Sequence, residues 1–234
     1  MAQTEQKNQN VKKQFEELQS LLERAMALQT SMVLFEWDDE TLAPKGAAEH
    51  TARVIGSLSE QYQEILASMR FKELLDICQK AEKENVGIFD EVQSAILREA
   101  AEEQERLSCI PPEEYRAYAE LTARATGIWT RAREKNDFAS FAPVLKEIIS
   151  YQKKFAAYRA KPGQKLYDVM LDTYEKGFNM EMLDPFFELM KGKIVPLLKE
   201  SAERSKRVPD AFLSADYPAA VSYTHLRAHE TELH

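Results

Sequence analysis

Residues 15–35 read FEELQSLLERAMALQTSMVLF, and the positions of their apolar side chains decide the fold class. These side chains recur at steps of three and four, at Phe15, Leu18, Leu22, Ala25, Leu28, Met32 and Phe35. Because an α-helix turns once every ~3.6 residues, this spacing predicts one apolar stripe along a long helix. Asp38 and Asp39, followed by Pro44 and Gly46, cap or break helices, so we expect this helix to end near Trp37.

The same periodicity continues to about residue 206, interrupted by residues that favour turns. Residues 85–87 and the pair Pro162–Gly163 predict loops, whereas Pro111 and Pro112 predict a helix start because proline fits the first helical turn. We expect the following helix to begin near Pro143. Strand-type alternation and repeats of fixed period are absent from the sequence. The predicted fold is all-α, a multi-helix antiparallel bundle.

The last predicted helix runs from about Met180 to Lys206 and contains Pro196, which we expect to kink it because a mid-helix proline removes one backbone hydrogen bond. Its apolar residues are expected to point into a core: Leu183, Phe186, Phe187, Met190, Ile194 and Leu198.

The composition excludes several classes of protein. With 31 basic and 39 acidic residues the net charge is −8, which argues against general nucleic-acid binding. Only 7 glycines occur, and no glycine-rich phosphate-binding string is present. The longest apolar run is four residues, at 32–35, and two cysteines cannot build a disulfide framework. These features predict a soluble cytoplasmic protein without a membrane span.

The string at residues 37–44, WDDETLAP, is unusual for a helix end. Its simplest interpretation is structural, with Trp37 as a core anchor, Asp38 or Thr41 as a helix cap, and Pro44 as a helix stop. A second interpretation is that the three carboxylates of residues 38–40 line a cleft and bind a cation.

Few other side chains suggest chemistry. His50 is the single histidine before residue 225 and is expected to be a surface or half-buried residue, with contact to a substrate as the lesser alternative. The acidic positions 99, 102, 103 and 105 are interpreted as a solvated helix face with Arg98 and Arg106 as partners. Cys78 and Cys109 are expected to be inert thiols. The sequence therefore predicts no catalytic, cofactor-binding or metal-binding residue in this chain.

Several blocks of the sequence stand in a recognisable order. The first block is the Trp-Asp-x-x-Thr-x-x-Pro string that begins at Trp37, followed by Gly46, Ala47 and Arg53. The second reads W-x-x-A-R-x-x-x-D-F-x-x-F-x-P-x-L, at Trp129, Ala132, Arg133, Asp137, Phe138, Phe141, Pro143 and Leu145. The third reads Y-D-x-x-L-D-x-Y-E-x-G and continues into the helix after it, at Tyr167, Asp168, Leu171, Asp172, Tyr174, Glu175, Gly177, Leu183, Phe187, Leu189 and residues 196–198. With a shorter likeness at residues 212–213 and 216–218, these blocks together resemble the thermostable carboxypeptidase Taq family of metallocarboxypeptidases, over about residues 14–220.

The resemblance implies the N-terminal part of a mostly helical zincin-type enzyme that removes C-terminal residues from peptides. It also implies zinc or cobalt as the metal, peptides as substrates, and a homodimer as one assembly state. In the family a His-Glu-x-x-His string and a later Glu hold the metal, and no such string occurs in this chain. We therefore expect this chain to bind no metal and to be inactive by itself. The alternative is a non-enzymatic helical scaffold or interaction module.

The histidine-rich tail does not replace the missing motif. His225 and His229 are four residues apart, but Leu226 occupies the position of the general base. Residues 221–231, VSYTHLRAHET, correspond to one reading frame of a transposase-type sequencing-library adapter. We therefore expect residues 1–220 to be the helical N-terminal region of a carboxypeptidase Taq-like enzyme and residues 221–234 to be non-native.

Overall fold

The computed structural model describes residues 2–44, 46–206 and 220, which divide into two compact units, Met1–Tyr174 and Glu175–His234. The helices of the described residues are α1 Ala2–Thr41, α2 Ala48–Leu66, α3 Met69–Glu84, α4 Glu91–Ser108, α5 Pro112–Glu134, α6 Phe138–Arg159, α7 Leu166–Tyr174 and α8 Met180–Ser205. None of the described residues lies in a β-strand, so the predicted all-α class is confirmed.

Two helix boundaries differ from the prediction. Helix α1 continues past Trp37 to Thr41, because Asp38 and Asp39 extend the helix and do not cap it. Helix α6 begins at Phe138, five residues before Pro143. Asp137 sets this start, since its carboxylate accepts the backbone N–H of Ser140 at 3.2 Å and so satisfies a donor that the first helical turn leaves free.

The predicted turns are confirmed where the backbone has to change direction sharply. Gly87, between α3 and α4, has φ +95°, and Gly163, between α6 and α7, has φ +80°. Both values lie in the left-handed region that glycine enters without steric cost. Helix α5 begins at Pro112, as predicted, because the missing N–H of a proline costs nothing in the first helical turn.

The core of the first unit lies where the N-terminal half of α1 meets α3, α4 and the end of α2. Its fully buried members include Leu18, Phe71, Leu74 and Leu97, and the ring of Phe15 packs on that of Phe89 at a centroid distance of 4.9 Å. Each helix in this cluster buries part of the stripe that its apolar spacing defines. Amphipathic helices of these lengths are stable mainly through such packing.

Helices α2 and α5 pack closely at Gly56. A Cβ atom placed on Gly56 would lie 2.3 Å from Cγ of Glu120 on α5, far inside van der Waals contact. Glu120 is also held by Arg116, whose Nε lies 3.0 Å from its Oε1. Glycine at position 56 therefore allows α5 to approach α2 with a charged side chain facing it.

In the second unit, α8 buries none of its side chains. The prediction that its apolar residues point into a core is wrong for the described residues. Leu183 is half-buried, while Phe186, Phe187, Met190, Ile194 and Leu198 are exposed. The reason is that the spacing of apolar residues along a helix shows which face is apolar but does not place a partner against that face.

Candidate functional site

The WDDETLAP string lies on the surface at the C-terminal end of α1. Trp37 is 57% exposed, so the prediction that it anchors a core is wrong. The Thr41 hydroxyl donates to the carbonyl oxygen of Trp37 at 2.6 Å, and the carbonyl oxygen of Asp38 accepts the backbone N–H groups of Leu42 and Ala43. The string thus completes the last turn of α1 through its backbone.

The predicted side-chain cap at this place is also wrong. Helix α2 begins after Ala47, whose methyl group cannot accept a hydrogen bond, and the Thr41 hydroxyl bonds backward into its own helix. The cation-site interpretation of residues 38–40 finds no support either. The described residues contain no group of three or more His, Cys, Asp or Glu side chains arranged to hold a metal ion.

His50 lies on the exposed surface of α2, in agreement with its structural interpretation. Its neighbour Glu49 lies 3.8 Å from the guanidinium of Arg124 on α5. Among the described residues, His50 does not fit the metal of the family that the sequence resembles, because a single exposed imidazole next to an ion-paired carboxylate lacks the converging ligands that zinc requires. The histidines at 225, 229 and 234 lie outside the described residues.

A line of alternating charges joins α2 to α5 near His50. Arg116 contacts Glu60 at 3.0 Å and Glu120 at 3.0 Å, and Arg124 contacts Glu120 at 3.6 Å. Sequence reasoning missed this line, although the spacing of residues 116, 120 and 124 by four along one helix was a readable signal. Acids and bases neutralise one another along the line, so it works as a polar contact between helices.

The acidic positions on α4 are more than a solvated face. Arg106 pairs with Glu103, as predicted, with Nε and Oε2 2.8 Å apart. Glu103, however, is half-buried and accepts the hydroxyl of Tyr62 from α2 at 3.0 Å. Burial raises the pKa of Tyr62, and the adjacent Glu103 carboxylate raises it further. Tyr62 therefore stays a neutral hydrogen-bond donor that connects α2 to α4.

The two cysteines are free thiols without an activating environment. Burial raises the pKa of the Cys78 thiol to about 11, and burial also raises the pKa of Cys109. Both effects disfavour the thiolate, which is the reactive form. This agrees with the prediction that neither cysteine is a nucleophile.

We predict that Cys78 reacts with iodoacetamide at pH 8 at least about a hundredfold more slowly than an ordinary exposed thiol, because both its thiolate fraction and its access are reduced. Cys109, which is partly exposed, is expected to react first. Differential alkylation followed by peptide mass spectrometry measures both rates in one sample. Labelling of Cys78 in the native chain at a rate equal to that in denaturant contradicts the prediction.

Of the blocks that carry the family resemblance, the second spans the junction of α5 with α6, and the third begins on α7. The guanidinium carbon of Arg133 lies 5.3 Å from the ring centroid of Trp129, one helical turn away. Phe138, the first residue of α6, is 68% exposed, and Tyr167 and Tyr174 on α7 are exposed as well. These aromatic residues therefore contribute little to the core of the described unit.

Comparison with known proteins first identifies a class of proteins, the metal-dependent peptidases of helical fold. A family sequence model described as carboxypeptidase Taq (M32) metallopeptidase matches residues 17–232. The chain belongs to this family. The match extends beyond Ala220, and the adapter interpretation of residues 221–234 stays a prediction.

The curated relatives and solved structures agree with this assignment. Carboxypeptidase 1 of Bacillus subtilis is 32% identical over 198 residues, which are 85% of this chain and 38% of the relative. The crystal structure of BsuCP superposes with a TM-score of 0.75 at 32% identity, covering 80% of this chain and 37% of that one. Metallocarboxypeptidase 1 of Trypanosoma cruzi gives a TM-score of 0.67 at 28% identity, covering 83% and 38%. The chain thus spans less than half the length of the relatives it matches.

None of the described helices combines the length and the apolar character that crossing a membrane requires.

Proposed function

We propose that this chain is the helical N-terminal part of a metal-dependent carboxypeptidase, which hydrolyses C-terminal residues from peptides. The observation that carries the proposal is the family match over residues 17–232, together with coverage of only 38% of the Bacillus subtilis relative. The described residues of the matched part form helices and hold no group of metal-ligating side chains, so the proposed role of this part is to form a wall of the substrate cleft and to restrict access to peptide ends.

The exposure of the family-matched aromatic residues supports this role. Trp37, Trp129, Phe138 and Tyr167 are large apolar side chains that proteins normally bury, yet all four are exposed here. Exposed aromatic side chains of this kind offer a surface on which another part of the protein can pack. In the proposed enzyme, that part is the metal-holding region.

The metal is assigned to that other region. A zinc or cobalt ion would supply the activated water in this type of hydrolysis, held by two histidines one helical turn apart and a later glutamate, while the glutamate beside the first histidine takes the proton of the water. The described residues offer no such cluster. No step of the reaction is therefore assigned to residues of this chain.

The purified 234-residue chain, supplied with zinc or cobalt, is predicted to release no C-terminal amino acids from test peptides above the rate of a metal-only blank. The measurement is amino-acid release followed by mass spectrometry, with the Bacillus subtilis carboxypeptidase 1 as the positive control. Release that requires metal and stops on chelation contradicts the prediction.

A chimera tests the function itself in the same assay. Residues 17–206 replace the matching region of the Bacillus relative, and we expect a folded enzyme that retains carboxypeptidase activity. A chimera that melts cooperatively but is inactive favours the alternative of a non-enzymatic scaffold.

A further inference from the structure

The C-terminal half of α1 carries an apolar stripe that the other described helices leave open. Met26, Val33 and Trp37 are each more than half exposed. At ~100° per residue these three side chains lie within roughly 40° of one another around the helix, and we call them the α1 stripe. The N-terminal half of the same helix is buried in the core, so the open surface is confined to one end of α1.

Carboxylates border one edge of the α1 stripe. Glu36 and Glu40 are exposed, lie about one helical turn apart, and follow the stripe on the side next to Val33. Within the part of the chain that the structure describes, neither carboxylate pairs with a lysine or arginine, in contrast to Glu60 and Glu120, which Arg116 holds at 3.0 Å each. The stripe is thus an apolar surface with an unneutralised negative edge.

The acids at this end of α1 work against the helix itself. Asp38, Asp39 and Glu40 occupy its last turn, which contains no basic residue. The C-terminal end of a helix carries partial negative charge, so acidic side chains there lower its stability. A local conflict of this kind is typical of residues that serve function and not the fold.

The charge of the edge determines which neighbour suits the α1 stripe. Packing another part of the same protein against it removes Glu36 and Glu40 from water, which is costly for a carboxylate without a base beside it. A peptide in an open cleft leaves both carboxylates partly solvated and brings its own positive charges. Opposite charges also attract and orient such a peptide before it binds. The stripe therefore suits a surface that faces the substrate.

We propose that the α1 stripe, together with Glu36 and Glu40, is a peptide-binding subsite that favours substrates with lysine or arginine close to apolar residues, upstream of the bond that is cleaved. The inference rests on the proposed carboxypeptidase function and names the class of peptides that its cleft selects. Val33 and Trp37 contact the apolar side chains, and the two carboxylates hold the basic ones. These residues bind the peptide and take no part in bond cleavage.

Titration of the 234-residue chain with the peptide Leu-Lys-Ala-Lys-Leu tests the subsite without any enzymatic activity. The chain contains two tryptophans, Trp37 and Trp129, so a nitrogen–proton correlation spectrum shows two indole N–H signals, which Trp37→Phe assigns. We expect the Trp37 signal to shift and the Trp129 signal to stay in place. The peptide Leu-Glu-Ala-Glu-Leu is expected to shift neither. A Trp37 signal that does not move, or that moves equally with both peptides, overturns the proposal.

The chimera that carries residues 17–206 in the Bacillus relative measures selectivity, since both peptides lose the same C-terminal leucine. The readout is the ratio of kcat/KM for the lysine peptide to that for the glutamate peptide. Replacing Glu36 and Glu40 together by glutamine is expected to lower this ratio at least about fivefold, and added salt should lower it as well. Replacing Glu99 and Glu105 by glutamine removes the same charge from exposed positions of α4 and is expected to leave the ratio unchanged.

The possible failures separate the subsite from the enzymatic role. An active chimera whose ratio is unaffected by the Glu36 and Glu40 substitutions overturns the subsite and leaves the proposed function standing. A folded chimera that cleaves neither peptide contradicts the proposed function, and the titration of the chain then decides the subsite alone.

Discussion

Phe71→Ala is expected to lower the free energy of unfolding by about 3–5 kcal/mol, the range for truncating a buried phenylalanine. Phe71 is 0% exposed and belongs to the cluster formed by α1, α3 and α4. Removing the ring deletes its apolar burial and leaves a cavity that long, well-packed helices close only in part. The backbone N–H of Phe71 is bonded to the Ser68 hydroxyl and is unaffected, so the effect measures side-chain packing.

Urea unfolding followed by circular dichroism measures this change, and Phe138→Ala is the matched control. Phe138 is also a phenylalanine at the start of a helix but is 68% exposed, so its truncation should change the free energy of unfolding by no more than about 0.5 kcal/mol. Equal losses for the two variants would show that Phe71 is not in the core of the folded chain.

Gln63→Leu is expected to cost about 1–3 kcal/mol, because it leaves the buried carbonyl group of Ile110 without its donor, whereas the carbonyl of Leu107 still accepts the backbone N–H of Ile110. Gln63 is 0% exposed on α2, and its Nε2 donates to the carbonyl oxygens of Leu107 at 3.1 Å and Ile110 at 2.6 Å. These bonds hold the turn between α4 and α5 against α2. Leucine preserves most of the volume, so the loss reports on the hydrogen bonds and not on a cavity.

Gln61→Leu provides the comparison two residues away on the same helix. The Gln61 amide donates to the carbonyl oxygen of Ser57 on the exposed side of α2, where water can replace it. We expect a change of no more than about 0.5 kcal/mol. The same urea titration applies to both variants, and a Gln63 variant as stable as the Gln61 variant would mean that the α4–α5 turn is held by other contacts.

Local signals in the sequence predicted most of the helices correctly. The proline pair before α5 and the glycines at 87 and 163 marked real boundaries because each acts through its own backbone geometry. Pro143 misled the prediction, since a proline inside α6 is tolerated once Asp137 has capped the helix. A helix start depends on which residue satisfies the first free N–H groups, and in α6 that residue is Asp137.

The site was predicted less well. Periodicity identified which face of each helix is apolar, and the structure buries that face in α3 and in the N-terminal half of α1. The same periodicity in α8, and the tryptophan at 37, were wrongly assigned to a core. An apolar stripe indicates that a helix packs against a partner, but it does not indicate where that partner lies. The pattern depends on residues close in the sequence, whereas packing depends on residues that are distant in the sequence.

The sequence alone determined the all-α class, the absence of a His-Glu-x-x-His string, and the family that the ordered blocks resemble. Those properties reside in residue order and short-range geometry. Only the tertiary structure decided that Gln63 and Phe71 are buried, that Glu103 binds Tyr62, and that α8 and Trp37 are exposed. The physical reason is that burial depends on which distant helices meet. The apolar faces of helices with similar amphipathic patterns can be covered by the same chain, by a second copy, or by the rest of an enzyme.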